Sequence, residues 1–133
     1  MNEELANRYI IKADNDLKTA KDEIITDNPA TDAVCFHAQQ CVEKYLKAYL
    51  VFNGKDILKP LKNHNIEVLL IACKEIDNSF NYLIEINAHE LTDYAIEIRY
   101  PDDFYLPSVE ESNQAIETAE KVKEFILNKL NIK

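Results

Sequence analysis

Apolar residues recur along this chain at steps of three and four, the spacing that gathers side chains on one face of an α-helix. Over about residues 3–26, Leu5, Tyr9, Ala13, Leu17, Ala20 and Ile24 form one such stripe and predict a first helix. Asn28-Pro29 then reads as a break and a new start, with Asn28 as N-cap and Pro29 in the first helical position. The second helix runs to about residue 53 and stops at Gly54, which enters a left-handed C-cap without a Cβ penalty. A polar connection over residues 55–64 contains Pro60. Asn65 caps a short third helix through Ile66, Leu69, Cys73 and Ile76. A fourth helix over about residues 80–99 carries Ile84, Ala88, Leu91, Ala95 and Ile98 on one side, with Asn87 as a point where it can break in two. Pro101 disfavours a helical Tyr100 and ends it. After an acidic, aromatic loop, Ser108 and Glu111 form a Ser-x-x-Glu capping box. Val109, Ile116, Ala119, Val122, Ile126 and Leu130 then continue a fifth helix. The prediction is an all-α, up-and-down bundle of four long helices plus a short fifth, folded as one domain over residues 1–133.

Composition narrows the function classes. The 133 residues include one glycine, where average usage would give roughly nine at ~7%. Glycine-rich phosphate loops need at least two, so the dinucleotide fingerprint and the P-loop are both excluded. The three cysteines, Cys35, Cys41 and Cys73, form no CxxC, and the first residues lack the positive end and apolar stretch of an export signal. Reduced thiols in the cytoplasm are the expectation. His37 and Cys41 lie four apart, a spacing that can bind a metal, but no second pair of ligands follows. Neither a metal nor a cofactor is expected, and no apolar run is long enough for a membrane.

The net charge is −9, which works against a polyphosphate partner unless charge is locally reversed. It is reversed in one place. Residues 44–64 carry Lys44, Lys47, Lys55, Lys59 and Lys62 against Asp56 alone, a net +4. At 100° per residue, Ala38, Cys41, Val42, Tyr45, Ala48 and Tyr49 fall in one arc of roughly 120°. Gln40, Glu43, Lys44 and Lys47 fall on the opposite side, as a predicted polar face away from the core. Glu43 and Lys47 are an i,i+4 pair in the favourable order. The face reads either as a solvated, helix-stabilising surface or as one that grips a ligand or partner.

The run from Phe36 through His37, Gln39, Gln40, Glu43, Lys44, Leu46, Lys47 and Ala48 to Leu50 resembles the Gln-Gln-x-x-Glu-Lys-x-Leu-Lys-Ala helix of the HEPN family (higher eukaryotes and prokaryotes nucleotide-binding). His64 resembles the family's His-containing entry to its third helix, and Arg99-Tyr100-Pro101-Asp102 its Arg-Tyr-Pro-Asp segment. The resemblance spans about residues 5–129. It implies a helical bundle that usually dimerises, a minimal nucleotidyltransferase as partner, often as a toxin–antitoxin pair, and contact with nucleotides or RNA. On that basis Gln40, Glu43, Lys44, Lys47, His64, Arg99, Tyr100 and Asp102 are the candidate ligand-binding residues.

Many members of that family are metal-independent ribonucleases marked by an Arg followed, after four to six residues, by a His. Here the eligible positions after Arg99 are Phe104, Tyr105 and Leu106, and after Arg8 they are Ala13, Asp14 and Asn15. None is a His, the usual proton-transfer group near neutral pH. A nucleotide- or RNA-contacting partner subunit is therefore the first expectation. The alternatives are a ribonuclease toxin in which Arg99 and a displaced His64 act, and a purely structural oligomerisation bundle. Arg99 can equally pair with Glu97, Asp102 or Asp103, and His64 can equally serve as a local cap.

Overall fold

The computed structural model describes residues 2–55, 65–97 and 105–131, with backbone alone for 95–97. Among them there is no strand. The helices are α1 (Glu3–Ile24), α2 (Thr31–Phe52), α3 (Ile66–Ile76), α4 (Asn81–Glu85), α5 (Thr92–Glu97) and α6 (Val109–Leu130). Turns of 3₁₀ helix at Asn78–Phe80 and Ala88–Leu91 lead into α4 and α5. No helix among the described residues is long and apolar enough to cross a membrane.

The all-α prediction holds, with three long helices rather than four. α1, α2 and α6 are each 22 residues long, and α3 has 11. The predicted fourth helix is divided where Asn87 takes a left-handed conformation, φ 63°. That geometry ends a helical ladder, and asparagine is one of the few side chains that tolerate it. Phe80 and Leu83 on one side of the break, and Ala88 and Leu91 on the other, all reach the core. Thr92 Oγ1 accepts the Ile66 N–H at 3.0 Å, tying the start of α5 to the start of α3.

The α1–α2 connection also departs from expectation. Asn28 does not cap α2 and Pro29 is not in its first turn; Ala30 is the N-cap and offers no side-chain acceptor. Glu23 organises the turn instead, its Oε2 accepting the Ala30 N–H at 2.9 Å. Three other predicted termini stand as read. Asn65 Oδ1 accepts from Glu67 N at 2.9 Å. Ser108 Oγ accepts from Glu111 N at 3.0 Å. After α2, Lys55 N donates to Leu50 O at 3.0 Å and Gly54 N to Val51 O at 2.9 Å, both bonds of a Schellman motif. Gly54 has φ +71° and nothing lies within 4 Å of a Cβ built on it. Gly54→Ala is therefore expected to cost about 1 kcal/mol from backbone strain alone, read as a lower Tm that Gly54→Asn largely restores.

α2 lies at the centre, packed by α1, α6 and α3. Fourteen of its residues are buried, too many for one face of a helix. At one end of the core, Phe80 packs at a tilt against Tyr49 (ring centroids 4.5 Å) and edge-on to Phe125 (5.0 Å). Lys129 lies 5.4 Å from the Phe125 ring centre and pairs with Asp77 at 2.8 Å. Bonds from Lys129 and Ser79 hold the Asp77 carboxyl down at about 2. A carboxyl depressed in the fold stabilises above its unfolded value, near 3.8, and stops doing so as pH falls through 2. Asp77→Asn should thus narrow the difference in Tm between pH 5 and pH 2.

Candidate polar site on α2

The polar residues of α2 divide into two sets with different surroundings. Glu43 and Lys47 are buried, 2% and 7% exposed. This corrects the wheel-based expectation of an outward-facing stripe. Elements pack around α2 on more than one side, so the side opposite the apolar arc is covered as well. Glu43 and Lys47 form the expected i,i+4 pair, Nζ to Oε1 at 2.6 Å. Gln39, fully buried, extends it by donating from Nε2 to Glu43 Oε2 at 3.1 Å. The result is an internal ladder, Gln39–Glu43–Lys47, running along the helix.

Gln40 and Lys44 form the other set. Both are half-buried. The Lys44 ammonium bonds Asp16 Oδ2 on α1. The other carboxylate oxygen, Oδ1, lies 2.8 Å from His37 Nδ1. Asp16 is thus shared between two side chains of α2 that stand seven residues apart on one face. Beside it, Asp14 accepts from the Tyr45 hydroxyl and pairs with Lys123 of α6 at 3.1 Å. Asp14, Asp16, His37, Lys44, Tyr45 and Lys123 therefore form a charged seam across α1, α2 and α6, with Gln40 between His37 and Lys44.

Cys41 lies beneath this seam. Burial, reinforced by the Asp16 and Asp14 carboxylates, pushes its thiol far above the ordinary range. A metal-ligating thiolate is disfavoured there, and His37 is already engaged by Asp16. Among the described residues no three His, Cys, Asp or Glu side chains gather as a metal site. Burial and the bond to Asp14 likewise push the Tyr45 phenol up, so it stays a proton donor.

Of the predicted site residues, the structure brings Glu43 to Lys47, and places Gln40 and Lys44 on the seam. His64, Arg99, Tyr100 and Asp102 lie outside the described residues, as do Lys59 and Lys62 of the basic segment. Sequence reasoning missed Asp16, and weighed His37 only as a metal ligand beside Cys41. A signal for Asp16 was present: it stands three after Ala13 and four before Ala20, inside the apolar stripe of α1. A carboxylate in such a stripe needs a partner. His37, Gln40 and Lys44 follow the i, i+3, i+7 spacing of one face.

A separate cleft of about 240 Å³ opens between α6 and residues 86–94, lined by Asn87, Glu90, Tyr94, Glu111 and Gln114 among others. Tyr94 donates to Glu111 Oε2 at 2.5 Å, and the Tyr105 hydroxyl donates to Oε1. Burial raises the Glu111 carboxyl, but these two hydroxyls and the Ser108 backbone outweigh it and leave it below its usual value. Glu111 thus serves both as the predicted capping-box residue and as an anchor for two tyrosines.

The sequence profile described as HEPN domain matches residues 6–130. A protein of Methanocaldococcus jannaschii named "Putative toxin MJ1304" is 26% identical, over 96% of this chain and 92% of its own length. No solved structure matches the chain.

Proposed function

The chain belongs to the HEPN domain family, and from that premise we propose that it is a nucleotide- or RNA-contacting subunit of a toxin–antitoxin pair whose other member is a minimal nucleotidyltransferase. The observation that carries the reading is the accessible edge of α2. There Gln40 offers an amide and, one turn on, Lys44 an ammonium, where the one basic segment of an otherwise acidic chain begins. His64, Arg99, Tyr100 and Asp102 complete the proposed contact set, with Arg99 as the planar donor suited to phosphate. Glu43 and Lys47 support the site from within by fixing the helix that carries it. The likeness to a protein named as a toxin supports the toxin–antitoxin setting. The three buried cysteines, none in a disulfide, suit a reducing, cytoplasmic compartment.

The reading makes the chain a binding partner, since neither Arg8 nor Arg99 is followed by a His at the ribonuclease spacing. Two measurements test it. Co-expression with a nucleotidyltransferase encoded beside it should give a complex that survives size exclusion, with the free chain a homodimer by light scattering. The purified chain should bind a mononucleotide or a short RNA, and leave RNA intact in excess chelator. No complex together with no binding overturns the proposal. Cleavage that disappears in Arg99→Ala replaces it with a ribonuclease toxin.

A further inference from the structure

The carboxylate of Asp16 does more than pair two cations. By engaging His37 through Nδ1, it fixes the ring so that Nε2 points away from α1. Nε2 has no hydrogen-bond partner among the described residues and is not a buried atom; the same is true of the Gln40 amide. The His37 side chain is 31% exposed and that of Lys44 28%. One face of α2 therefore presents an imidazole nitrogen, a carboxamide and an ammonium over two turns, oriented from behind by an Asp16 side chain that is itself 12% exposed. An imidazolium donates from both nitrogens, an amide from its NH₂ and an ammonium from three positions. Three such donors on one edge match a tetrahedral oxyanion with several acceptor oxygens.

We propose that His37, Gln40 and Lys44 form a phosphate-binding site at the α1–α2 seam, with Asp16 as its positioning residue. The assignment rests on the reading above that this edge of α2 meets a nucleotide or RNA. It adds two residues, His37 and Asp16, and a chemical role for each. The ligand's phosphate bonds His37 Nε2, the Gln40 amide and Lys44. Asp16 holds the His37 ring and balances one positive charge.

The test follows the ring signals of His37 by NMR while inorganic phosphate, AMP and a short single-stranded RNA are added in separate titrations. His37 signals should shift and saturate with phosphate. The stronger of AMP or RNA then identifies the physiological source of the group. His37→Asn and Lys44→Gln should each weaken the stronger ligand about tenfold, the loss of one charge-assisted bond. Lys18→Gln, which removes an exposed lysine of α1 paired with Asp22 and bonded to no residue of the site, should leave it unchanged. Asp16→Asn, which leaves no carboxylate to accept from Nδ1–H, should change the ¹⁵N shifts of both ring nitrogens and weaken the phosphate response of His37, a signature that loss of packing alone does not produce. Phosphate that leaves His37 unmoved overturns the site, even if AMP or RNA binds elsewhere and the proposed function stands. Equal weakening by Lys18→Gln also overturns it, by showing diffuse charge attraction. A saturating His37 shift with phosphate, without binding of a nucleotidyltransferase, supports the site and counts against the toxin–antitoxin reading alone.

Discussion

Replacing Lys47 by Met should destabilise the protein by about 3 kcal/mol or more, because it removes the ammonium partner of a buried carboxylate. Glu43 is 2% exposed and lies in the packed centre of α2. Its Oε1 receives Lys47 at 2.6 Å and its Oε2 receives Gln39 at 3.1 Å. Without Lys47, that carboxylate must stay ionised with less compensation or take up a proton, and either costs stability. Pairing the change with Glu43→Gln should recover most of the loss, since a neutral ladder no longer holds a charge away from water. Urea unfolding of the two single variants and the double variant measures the coupling. If Lys47→Met changes stability by less than 1 kcal/mol, the ladder is solvated in solution and α2 is less enclosed than the structure shows. The same series separates support from contact. Lys47→Met should lower stability with little change in ligand affinity once folded, whereas Lys44→Gln should do the reverse.

That contrast shows where the sequence could be read and where it could not. The apolar stripes of α1 and α6 were legible because each helix has one covered side, so periodicity maps directly onto burial. For α2 the rule failed at Glu43 and Lys47. A helix packed on several sides buries polar positions too, and a wheel drawn from one helix cannot show what covers its second face. Asn65, Gly54 and Ser108 were legible because capping is local chemistry. Asn28-Pro29 misled because the start of α2 is fixed by Glu23, seven residues before the amide it holds. The pairing of Asp16 with His37 and Lys44 needed the α1–α2 contact, and no spacing within one helix encodes it. The family was legible from the Gln-Gln-x-x-Glu-Lys run with Arg-Tyr-Pro-Asp, motifs specific in combination.

The seam and the ladder also divide the work of α2. Its two polar sets run along one helix: an inner ladder that fixes the helix, and a half-buried edge turned to solvent, beside which the Asp14–Tyr45 contact fastens the helix to α1. Of the proposed contact residues, those on α2 are therefore rigidly mounted, as a site needs when its donors must meet a ligand without reordering.

Phe80→Ala should be as damaging as loss of the buried ammonium, by about 3–5 kcal/mol. Phe80 is fully buried at the end of a 3₁₀ turn, where the sequence predicted only the start of a regular helix. Its ring meets Tyr49 of α2 and Phe125 of α6 at once. It thus joins the broken segment after α3 to two of the three long helices. Truncation leaves a cavity between rings that the backbone cannot close, because Asp77 and Asn87 fix the short elements on either side. Phe80→Leu should cost markedly less, since it keeps most of the volume. Hydrogen exchange locates the damage: amides of α4 and of residues 86–91 should lose protection first, while the α1–α2 seam keeps its own. A loss spread equally over α1 would mean that the aromatic cluster and the polar seam unfold as one unit. In that case, variants made to probe the phosphate site would have to be matched for stability before their affinities were compared.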